Sequence, residues 1–172
     1  DSSRDPIIHF YEDFLKEYDP KERIKLGVFY TPLPVVRFIV DSIDEILRKE
    51  FSLDGLADCS KTEILRDLEG KKIKQSIHKV QILDPATGTG TFLNEVVSKI
   101  KDSFKGQEGR WPKYVKEELL PRLYGFELMV APYTIAHLKL STTVKESGAE
   151  IGDQRIKVYL TNSLEKGEER GK

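Results

Sequence analysis

The feature that most constrains this chain is the stretch of residues 80–92, which reads Val-Gln-Ile-Leu-Asp-Pro-Ala-Thr-Gly-Thr-Gly-Thr-Phe. Its first residues form a short apolar run, which predicts a buried strand ending near Asp84. A glycine-rich turn follows, and apolar residues at helical spacing predict a helix from Phe92 to Ile100. A strand, a tight turn and a helix in this order open a Rossmann-like nucleotide fold, whose ligand lies at the carboxyl ends of the strands.

The residues of the turn narrow the choice of ligand. A dinucleotide fingerprint needs a third glycine, but Leu93 stands at that position after Gly88 and Gly90. Asp84 would repel a pyrophosphate and attract an amino group, and no Gly-Lys-Ser/Thr follows as in a P-loop. An acid beside free backbone N–H groups suits a zwitterionic amino-acid group, such as the methionine end of S-adenosylmethionine (SAM).

Composition excludes several other classes of protein. The chain of 172 residues is long enough for one domain with a real core, and its 28 basic and 29 acidic residues leave a formal charge of -1. That is not the balance of a nucleic-acid-binding domain. Cys59 is the only cysteine, which excludes a disulfide framework and a cysteine-based zinc site. No apolar stretch approaches the ~20 residues that span a bilayer, so we expect a cytoplasmic protein.

Two further strands are predicted after the glycine-rich turn. Residues 122–127 form an apolar run that ends at Glu127, where a Rossmann sheet places a carboxylate that binds ribose hydroxyls. Residues 156–160 predict the third strand. Helices are expected over 33–49 and over 132–144, the latter with one face formed by Ala131, Ile135, Leu138 and Thr142.

The remaining segments carry weaker patterns. The spacing of apolar residues predicts a helix over 6–18 and a short one over 62–68, followed by a loop at 69–72. We expect His78 and His137 to be surface residues. An amphipathic segment is predicted over 111–120, with its apolar side formed by Trp111, Tyr114, Val115 and Leu119.

Four segments resemble a known family in the expected order. Residues 84–92, Asp-Pro-Ala-Thr-Gly-Thr-Gly-Thr-Phe, closely resemble motif I of the N6-adenine DNA methyltransferases, such as the modification subunits of Type I restriction systems and single-chain restriction–modification enzymes that carry a helicase. Residues 27–32, Gly-Val-Phe-Tyr-Thr-Pro, resemble motif X. Residues 124–128, Tyr-Gly-Phe-Glu-Leu, resemble motif II, and the Thr-Asn-Ser-Leu at 161–164 resembles motif III.

The resemblance implies a SAM site and a role for each matching residue. Asp84 and the backbone of the turn would hold the methionine end, Thr31 its carboxylate and Glu127 the ribose. Asn162 would bond the adenine, although many relatives have an aspartate there. The complete set of predicted cofactor-binding residues is Tyr30, Thr31, Pro32, Asp84, Pro85, Ala86, Thr87, Gly88, Thr89, Gly90, Phe92, Glu127, Leu128, Asn162, Ser163 and Leu164.

The resemblance also implies a fold and a division of the chain. We expect an α/β, Rossmann-like SAM-dependent methyltransferase fold, with a partial parallel sheet, helices on both faces and a helical N-terminal part. Residues 1–50 would form that N-terminal part, including a motif X-like loop at 27–34. Residues 51–79 would connect it to the SAM-binding part at 80–172, which holds motifs I, II and III.

The family's catalytic signature, Asn/Asp-Pro-Pro-Tyr/Phe, occurs nowhere in these residues. We therefore expect no catalytic residue and no activity from this chain alone, and no metal is implied. The full protein would transfer a methyl group from SAM to adenine N6 in DNA, with DNA bound through regions mostly outside this chain. Restriction, specificity or helicase modules are possible partners, and no membrane is involved. Alternatives are an RNA or protein-glutamine methyltransferase, a non-catalytic scaffold, or a nucleotide-binding oxidoreductase domain, which Asp84 and Leu93 disfavour.

Overall fold

The structure is a computed structural model that describes residues 31–68 and 71–164. The predicted helix at 6–18 and Tyr30 lie outside the described residues. No helix in the described ranges is long and apolar enough to cross a bilayer. In chain order the elements are α1 (Leu33–Lys49), a 3₁₀ turn (Gly55–Ala57), β1 (Lys61–Leu68), β2 (Lys71–His78), β3 (Ile82–Asp84), α2 (Thr91–Asp102), a 3₁₀ turn (Glu108–Arg110), α3 (Trp111–Tyr114), a π-helical turn (Val115–Leu119), a 3₁₀ turn (Leu120–Arg122), β4 (Leu123–Glu127), α4 (Val130–Glu146) and β5 (Lys157–Leu160).

Helix α1 has the bounds that the sequence predicted. Pro32 precedes it in an extended conformation, which suits a helix entrance because proline restricts the residues around it. Near its other end Asp44 is buried and accepts hydrogen bonds from the Leu56 N–H at 2.7 Å and from Arg48 Nε at 3.1 Å. The bond from Leu56 fixes the end of α1 to the loop that follows.

Strands β1 and β2 form an antiparallel two-stranded ribbon ahead of the central sheet. The helix predicted over 62–68 is therefore wrong, and β2 already begins within the predicted loop at 69–72. Thr62 and Ile64 are β-branched, which favours a strand. A helix of seven residues is marginal in water, so pairing with β2 decides the conformation.

His78 at the end of the ribbon is buried, although the sequence predicted an exposed residue. Its Nε2 lies 2.5 Å from Oε2 of Glu118, and Lys61 Nζ lies 3.1 Å from the same oxygen. Burial alone would raise the pKa of Glu118, but hydrogen bonds from His78 and Lys61 lower it overall. This cluster anchors the base of the ribbon, and the histidine's partner is 40 residues away in sequence.

We expect Glu118→Gln to lower the free energy of unfolding by about 0.5–1 kcal/mol at pH 7, because a partly solvated ion pair is screened. The folded-state pKa of Glu118 lies below its unfolded value of about 4.3. Its contribution is therefore present above that pH and is lost as the pH falls through the folded-state pKa. In urea unfolding from pH 7 to pH 3, the free energies of unfolding of the wild type and of Glu118→Gln should converge. Glu117→Gln should differ little from the wild type at any pH. A difference between the wild type and Glu118→Gln that stays constant down to pH 3 would contradict this role of the Glu118 carboxylate.

The central sheet contains three parallel strands in the order β3-β4-β5. All three predicted strands are present, with starts displaced by one or two residues. Arg122 lies before β4 rather than within it. The register pairs Ile82 with Leu123, and Gly125 with Val158, so these four residues share one face. Crossover connections and parallel strands make this the α/β, Rossmann-like arrangement that the sequence predicted.

Helices α2 and α4 cover the face of the sheet that carries Leu123 and Val158. Leu93 of α2 and Leu140 of α4 are 1% exposed and pack into this layer. The other face carries Leu83, which is half exposed in the part of the chain that the structure describes. The core is therefore formed between the sheet and these two helices.

The buried side of α4 is not the predicted one. The sequence favoured the face with Leu138, but that residue is exposed, and the buried side consists of Pro132, Ala136, Leu140 and Val144. Both faces contain apolar residues, so spacing alone could not separate them. Ala136 on the buried side lies close to Gly90, where an added Cβ atom would come within 3.3 Å of it. His137 is consequently half-buried rather than at the surface, with Nε2 3.2 Å from the Val158 carbonyl.

The residues 108–122 form a helical insertion between α2 and β4. Its predicted apolar side is confirmed, since Trp111, Val115 and Leu119 are fully buried and Tyr114 is nearly so. Trp111 donates a hydrogen bond to Ser147 Oγ at 2.8 Å, which ties the insertion to the end of α4.

The last residue of the insertion, Arg122, is fully buried. Its Nη2 donates to the Leu56 carbonyl at 2.7 Å and to the Tyr114 hydroxyl at 2.6 Å. Nε donates to the Glu118 carbonyl at 3.0 Å, and Nη1 lies 3.4 Å from the Val80 carbonyl. One guanidinium thus joins the loop after α1, the entrance of β3 and the insertion.

Candidate cofactor site

Two acidic residues meet at the carboxyl edge of the central sheet. Asp84 is the last residue of β3 and Glu127 is the last residue of β4. Asp84 pairs with Gly125, which lies two residues before Glu127 on the same face of β4. Both carboxylates therefore lie on the helix-covered face, at the end where ligands bind in open α/β sheets.

The turn after Asp84 is held by Thr87, which is 4% exposed. Its N–H donates to the Phe126 carbonyl at 2.9 Å, and its hydroxyl donates to the Asp84 carbonyl at 3.1 Å. Gly88 has φ +55° and Gly90 has φ +82°, which are left-handed conformations that favour glycine. The turn thereby bends the chain from β3 into the N-terminus of α2.

Gly125 is a site residue to which the sequence reasoning gave no role. A Cβ atom there would lie 2.4 Å from Thr87 Oγ1 and 3.1 Å from Leu93. Because real Cβ atoms do not approach an oxygen so closely, only glycine lets the turn pack against β4. The signal in the sequence was a glycine in the middle of a strand, which often marks a close approach.

The two carboxylate oxygens of Asp84 differ in their surroundings. Oδ1 accepts a hydrogen bond from the Ala86 N–H at 3.1 Å. Oδ2 is buried and has no hydrogen-bond partner among residues 31–68 and 71–164. Burial raises the pKa of Asp84, and the nearby charge of Glu127 raises it further, while the bond from Ala86 opposes them. A buried carboxylate oxygen without a partner lowers the stability of the folded state, and a cationic group of a ligand would supply the missing partner.

Glu127 is 7% exposed and is held by two backbone groups. Oε2 accepts from the Gly88 N–H at 2.8 Å, and Oε1 accepts from the Met129 N–H at 2.8 Å. A carboxylate has about four acceptor positions, so each oxygen retains capacity for a ligand hydroxyl. The bond to Gly88 joins the turn of motif I directly to the acid of motif II.

The entrance of α1 lies at the same end of the helix layer as this turn. Arg37 Nε lies 3.4 Å from Glu95, and Asp41 lies 2.6 Å from Lys99 Nζ. The two ion pairs are one turn apart on both helices and in the same order, so α1 and α2 run parallel. Thr31 and Pro32, just before α1, are therefore at the same end as the start of α2. Tyr30 is outside the described residues.

The other predicted site residues lie around this edge with different exposures. Phe92 and Thr89 are partly buried, Pro85 and Ala86 are exposed, and Leu128 is 57% exposed. The Thr161 N–H donates to the Glu127 carbonyl at 2.8 Å, which brings the residues after β5 to the end of β4. Asn162 Oδ1 accepts from the N–H of Leu164, whose side chain is 93% exposed, and Ser163 is exposed. The roles of these residues stay predictions.

Asn94 is a second residue that the sequence reasoning missed. Its Nδ2 donates to the Gly90 carbonyl at 2.7 Å, and its Oδ1 accepts from Thr143 Oγ1 of α4 at 2.6 Å. One amide thereby connects the end of the turn to α4. An amide one helical turn after a glycine was the available signal, but its partner in α4 was not visible.

We expect Asn94→Ala to lower the free energy of unfolding by about 1–2 kcal/mol, because two hydrogen bonds are lost and Thr143 keeps no acceptor there. Amide hydrogen exchange at residues 88–91 should become faster. Thr143→Ser keeps the hydroxyl and should behave as the wild type in both measurements. Unchanged exchange at 88–91 in Asn94→Ala would contradict a role in holding the turn.

No group of three or more His, Cys, Asp and Glu side chains in the described ranges could hold a metal ion. The arrangement instead offers a buried anionic oxygen, the turn at 86–90 and a second carboxylate with free acceptor positions. These groups have the chemistry to hold a ligand with a cationic group and hydroxyls.

Comparison with known proteins identifies the family. A family model described as N-6 DNA Methylase matches residues 2–171. The chain therefore belongs to the N-6 DNA methylase family, as its motifs predicted, and the family implies a methyl donor as ligand. A search among curated proteins gave no match.

Three solved structures are similar to this chain. The cryo-EM structure of a DrdV–DNA complex has 30% sequence identity and a TM-score of 0.63, and the match covers 90% of this chain and 12% of that one. A nuclease-deletion mutant of the Type ISP restriction–modification enzyme LlaGI, in complex with a DNA substrate mimic, has 25% identity and a TM-score of 0.60, covering 91% and 11%. The ATP-dependent Type ISP restriction–modification enzyme LlaBIII bound to DNA has 27% identity and a TM-score of 0.59, covering 91% and 9%. This chain thus spans about a tenth of each relative.

Proposed function

We propose that this chain is the cofactor-binding part of a cytoplasmic, SAM-dependent methyltransferase that modifies adenine N6 in DNA within a restriction–modification system. The family membership supports methyl transfer to DNA. The similar structures are described as DNA complexes, two of them of Type ISP restriction–modification enzymes, and they support the same class of substrate. The DNA-binding regions, and any helicase or specificity module, would lie mostly outside these 172 residues.

The observation that carries the proposal is that Oδ2 of Asp84 is buried without a hydrogen-bond partner in the part of the chain that the structure describes. SAM has an ammonium group on its methionine end, and this group would supply the partner that Oδ2 lacks. The N–H groups of Ala86, Thr87, Gly88 and Gly90 already donate to protein oxygens. Thr31 and the first N–H groups of α2, which the helix itself leaves without an acceptor, suit the carboxylate of the same end. Glu127 has acceptor capacity for ribose hydroxyls. The ammonium group of SAM would therefore face Asp84, and its ribose would face Glu127.

The adenine ring would lie beyond Glu127, among the residues at the ends of β4 and β5. Leu128 is exposed enough to contact it. Asn162 and the neighbouring Ser163 and Leu164 follow β5 at the same edge, where an amide can bond the adenine amino group.

SAM supplies an activated methyl group when it is bound. The residues of this chain bind and orient the donor, and orientation alone can supply a large part of a rate acceleration. Asp84 and Glu127 would fix two points of the donor against a rigid sheet edge. The target adenine has to leave the base stack before its amino group can be reached, and the regions that do this lie outside the chain.

The test is a methyl-transfer assay with the complete protein that contains this chain. DNA, RNA and protein substrates are incubated with SAM that carries a labelled methyl group, and the labelled products are separated as nucleosides or amino acids. We expect label in N6-methyladenine from DNA. Label only in RNA or in protein glutamine would overturn the DNA assignment, and SAM binding without transfer to any of them would favour a non-catalytic scaffold.

A further inference from the structure

The ribbon of β1 and β2 is exposed on both faces along most of its length. Its strands are Lys61–Leu68 and Lys71–His78, each about 27 Å long. The cluster around Glu118 holds the ribbon at its base, and further out every residue over 61–67 and 72–76 is exposed. The exposed apolar side chains include Ile64, Leu65 and Ile73. Two paired strands are only marginally stable by themselves, so a ribbon that presents both faces to solvent indicates a binding partner.

The ribbon differs from the rest of the chain in charge. Residues 61–79 hold six of the 28 basic residues and three of the 29 acidic ones, which gives them a formal charge of +3 in a chain whose total is -1. The remaining residues are therefore acidic overall, and the basic charge is concentrated in this one element. A local concentration of basic residues is the electrostatic footprint of an anionic partner, and the anionic partner in the proposed function is DNA.

The two faces of the ribbon carry different side chains. Residues paired across the strands share a face. By the register, one face carries Thr62, Ile64, Arg66, Ile73, Gln75 and Ile77. No acidic side chain lies on this face within the described ribbon, and we call it the acid-free face. The opposite face carries Glu63 and Asp67, and there Lys74 Nζ lies 3.2 Å from Glu63 Oε2.

We propose that the acid-free face of the ribbon binds the major groove of double-stranded DNA. That groove is about 12 Å wide and admits a two-stranded β-ribbon. A ribbon about 27 Å long would lie along about eight base pairs. Arg66, Gln75 and Thr62 supply donors for phosphates and base edges. Ile64 and Ile73 supply apolar contact for thymine methyl groups, while the acids lie on the side away from the phosphates.

The ribbon contact is separate from the cofactor site. Strand β2 ends at His78 and β3 begins at Ile82, so the base of the ribbon lies at the amino end of β3, whereas Asp84 ends the same strand at the other edge. The ribbon would therefore hold DNA away from the target adenine and leave SAM binding unchanged. The choice of DNA rests on the proposed function, whereas the identity of the methyl donor has no part in it.

Matched variants of the complete protein test which face binds. Arg66→Gln and Lys74→Gln each remove one positive charge from an exposed position of the ribbon, but only residue 66 lies on the acid-free face. The affinity for a fluorescent DNA duplex several helical turns long is measured by anisotropy at several salt concentrations. We expect Arg66→Gln to weaken binding about tenfold and to reduce the slope of log K against log salt by about 1.

Lys74→Gln should change the affinity by less than about twofold, because its partner is Glu63 on the opposite face. Equal losses in the two variants would show attraction by charge without a defined face, and would overturn the proposal. Unchanged affinity and salt slope in Arg66→Gln would overturn it as well. Calorimetric titration with SAM should give the wild-type affinity in both variants, which shows that neither has unfolded.

Cysteine labelling tests whether the acid-free face is open to a partner. Gln75→Cys and Ser76→Cys place a thiol on the two faces at neighbouring exposed positions. Both proteins are treated with a maleimide with and without the DNA duplex, and the labelled peptide is quantified by mass spectrometry. We expect both thiols to react in the free protein and DNA to protect residue 75 but not residue 76. A residue 75 that resists labelling without DNA would mean that protein covers this face, which would overturn the proposal.

The ribbon contact and the proposed function fail in different ways. If the complete protein forms N6-methyladenine in DNA while Arg66→Gln binds DNA as the wild type does, only the ribbon contact is overturned. If Arg66→Gln weakens DNA binding while the methyl label enters only RNA or protein, the ribbon contact stands and the proposed function is overturned.

Discussion

Asp84→Asn is expected to lower the affinity for SAM by about 10–100-fold, with little change in the fold. The substitution keeps the shape of the side chain and an acceptor for the Ala86 N–H, but it removes the negative charge from the buried, unpartnered Oδ2 position. A hydrogen bond between charged groups contributes about 1.5–3 kcal/mol, which corresponds to this range of affinity. Calorimetric titration with SAM measures the change.

The same substitution should leave the free energy of unfolding unchanged or raise it. Burial and the charge of Glu127 raise the folded-state pKa of Asp84 above its unfolded value of about 3.9. Ionised Asp84 therefore costs stability at neutral pH, and this cost disappears as the pH falls through the folded-state pKa to below the unfolded one. Asp84→Asn removes the cost at every pH, while Asp153→Asn on the exposed loop serves as a control.

A change in the ligand tests the same contact between Asp84 and the α-amino group of SAM. A SAM analogue without the α-amino group should bind the wild type as weakly as SAM binds Asp84→Asn. The variant itself should hardly distinguish the two ligands. A variant that still prefers SAM by the wild-type factor would mean that the ammonium group is bound elsewhere.

Arg122→Met is expected to lower the free energy of unfolding by about 3–5 kcal/mol, because several buried acceptors lose their donor. The guanidinium is fully buried and donates to the Leu56 carbonyl, the Glu118 carbonyl and the Tyr114 hydroxyl. Methionine fills a similar volume but leaves these acceptors without a donor. The free energy of unfolding of a whole domain is only about 5–15 kcal/mol. We therefore expect urea or thermal unfolding to show that Arg122→Met is only marginally folded.

A matched arginine serves as the control for this prediction. Arg110 belongs to the same insertion but is exposed and bonds the side chain of Gln107. Arg110→Met should change the free energy of unfolding by less than about 0.5 kcal/mol. Comparable losses in the two variants would show that the buried network of Arg122 does not hold the insertion.

The sequence predicted the strand and the turn at this edge of the sheet because their signals are local. An apolar run that ends on an acid, followed by glycines, determines both the strand and the turn at residues 82–90. The acids Asp84 and Glu127 lie together because parallel neighbouring strands end at one edge, which topology alone requires. Helix α1 was predicted correctly because Pro32 marks its start and a helical period continues to Lys49.

Features that depend on distant partners were not predictable in this way. The ribbon of β1 and β2 depends on pairing between the two strands. The local sequence of a short segment with mixed propensity does not indicate that pairing. His78 is buried beside Glu118, which is 40 residues away in sequence, and Arg122 has partners in three separate segments. The buried side of α4 could not be predicted because both faces of this helix contain apolar residues. The structure buries the side on which Ala136 lies close to Gly90.

The most direct test of the cofactor site is the structure of the protein in complex with S-adenosylhomocysteine. We predict that the amino nitrogen lies about 3 Å from Asp84 Oδ2, within hydrogen-bond distance. The ribose hydroxyls should lie at the same distance from Glu127. A ligand bound away from the edge of β3 and β4, with Asp84 Oδ2 still lacking a partner, would contradict the assignment.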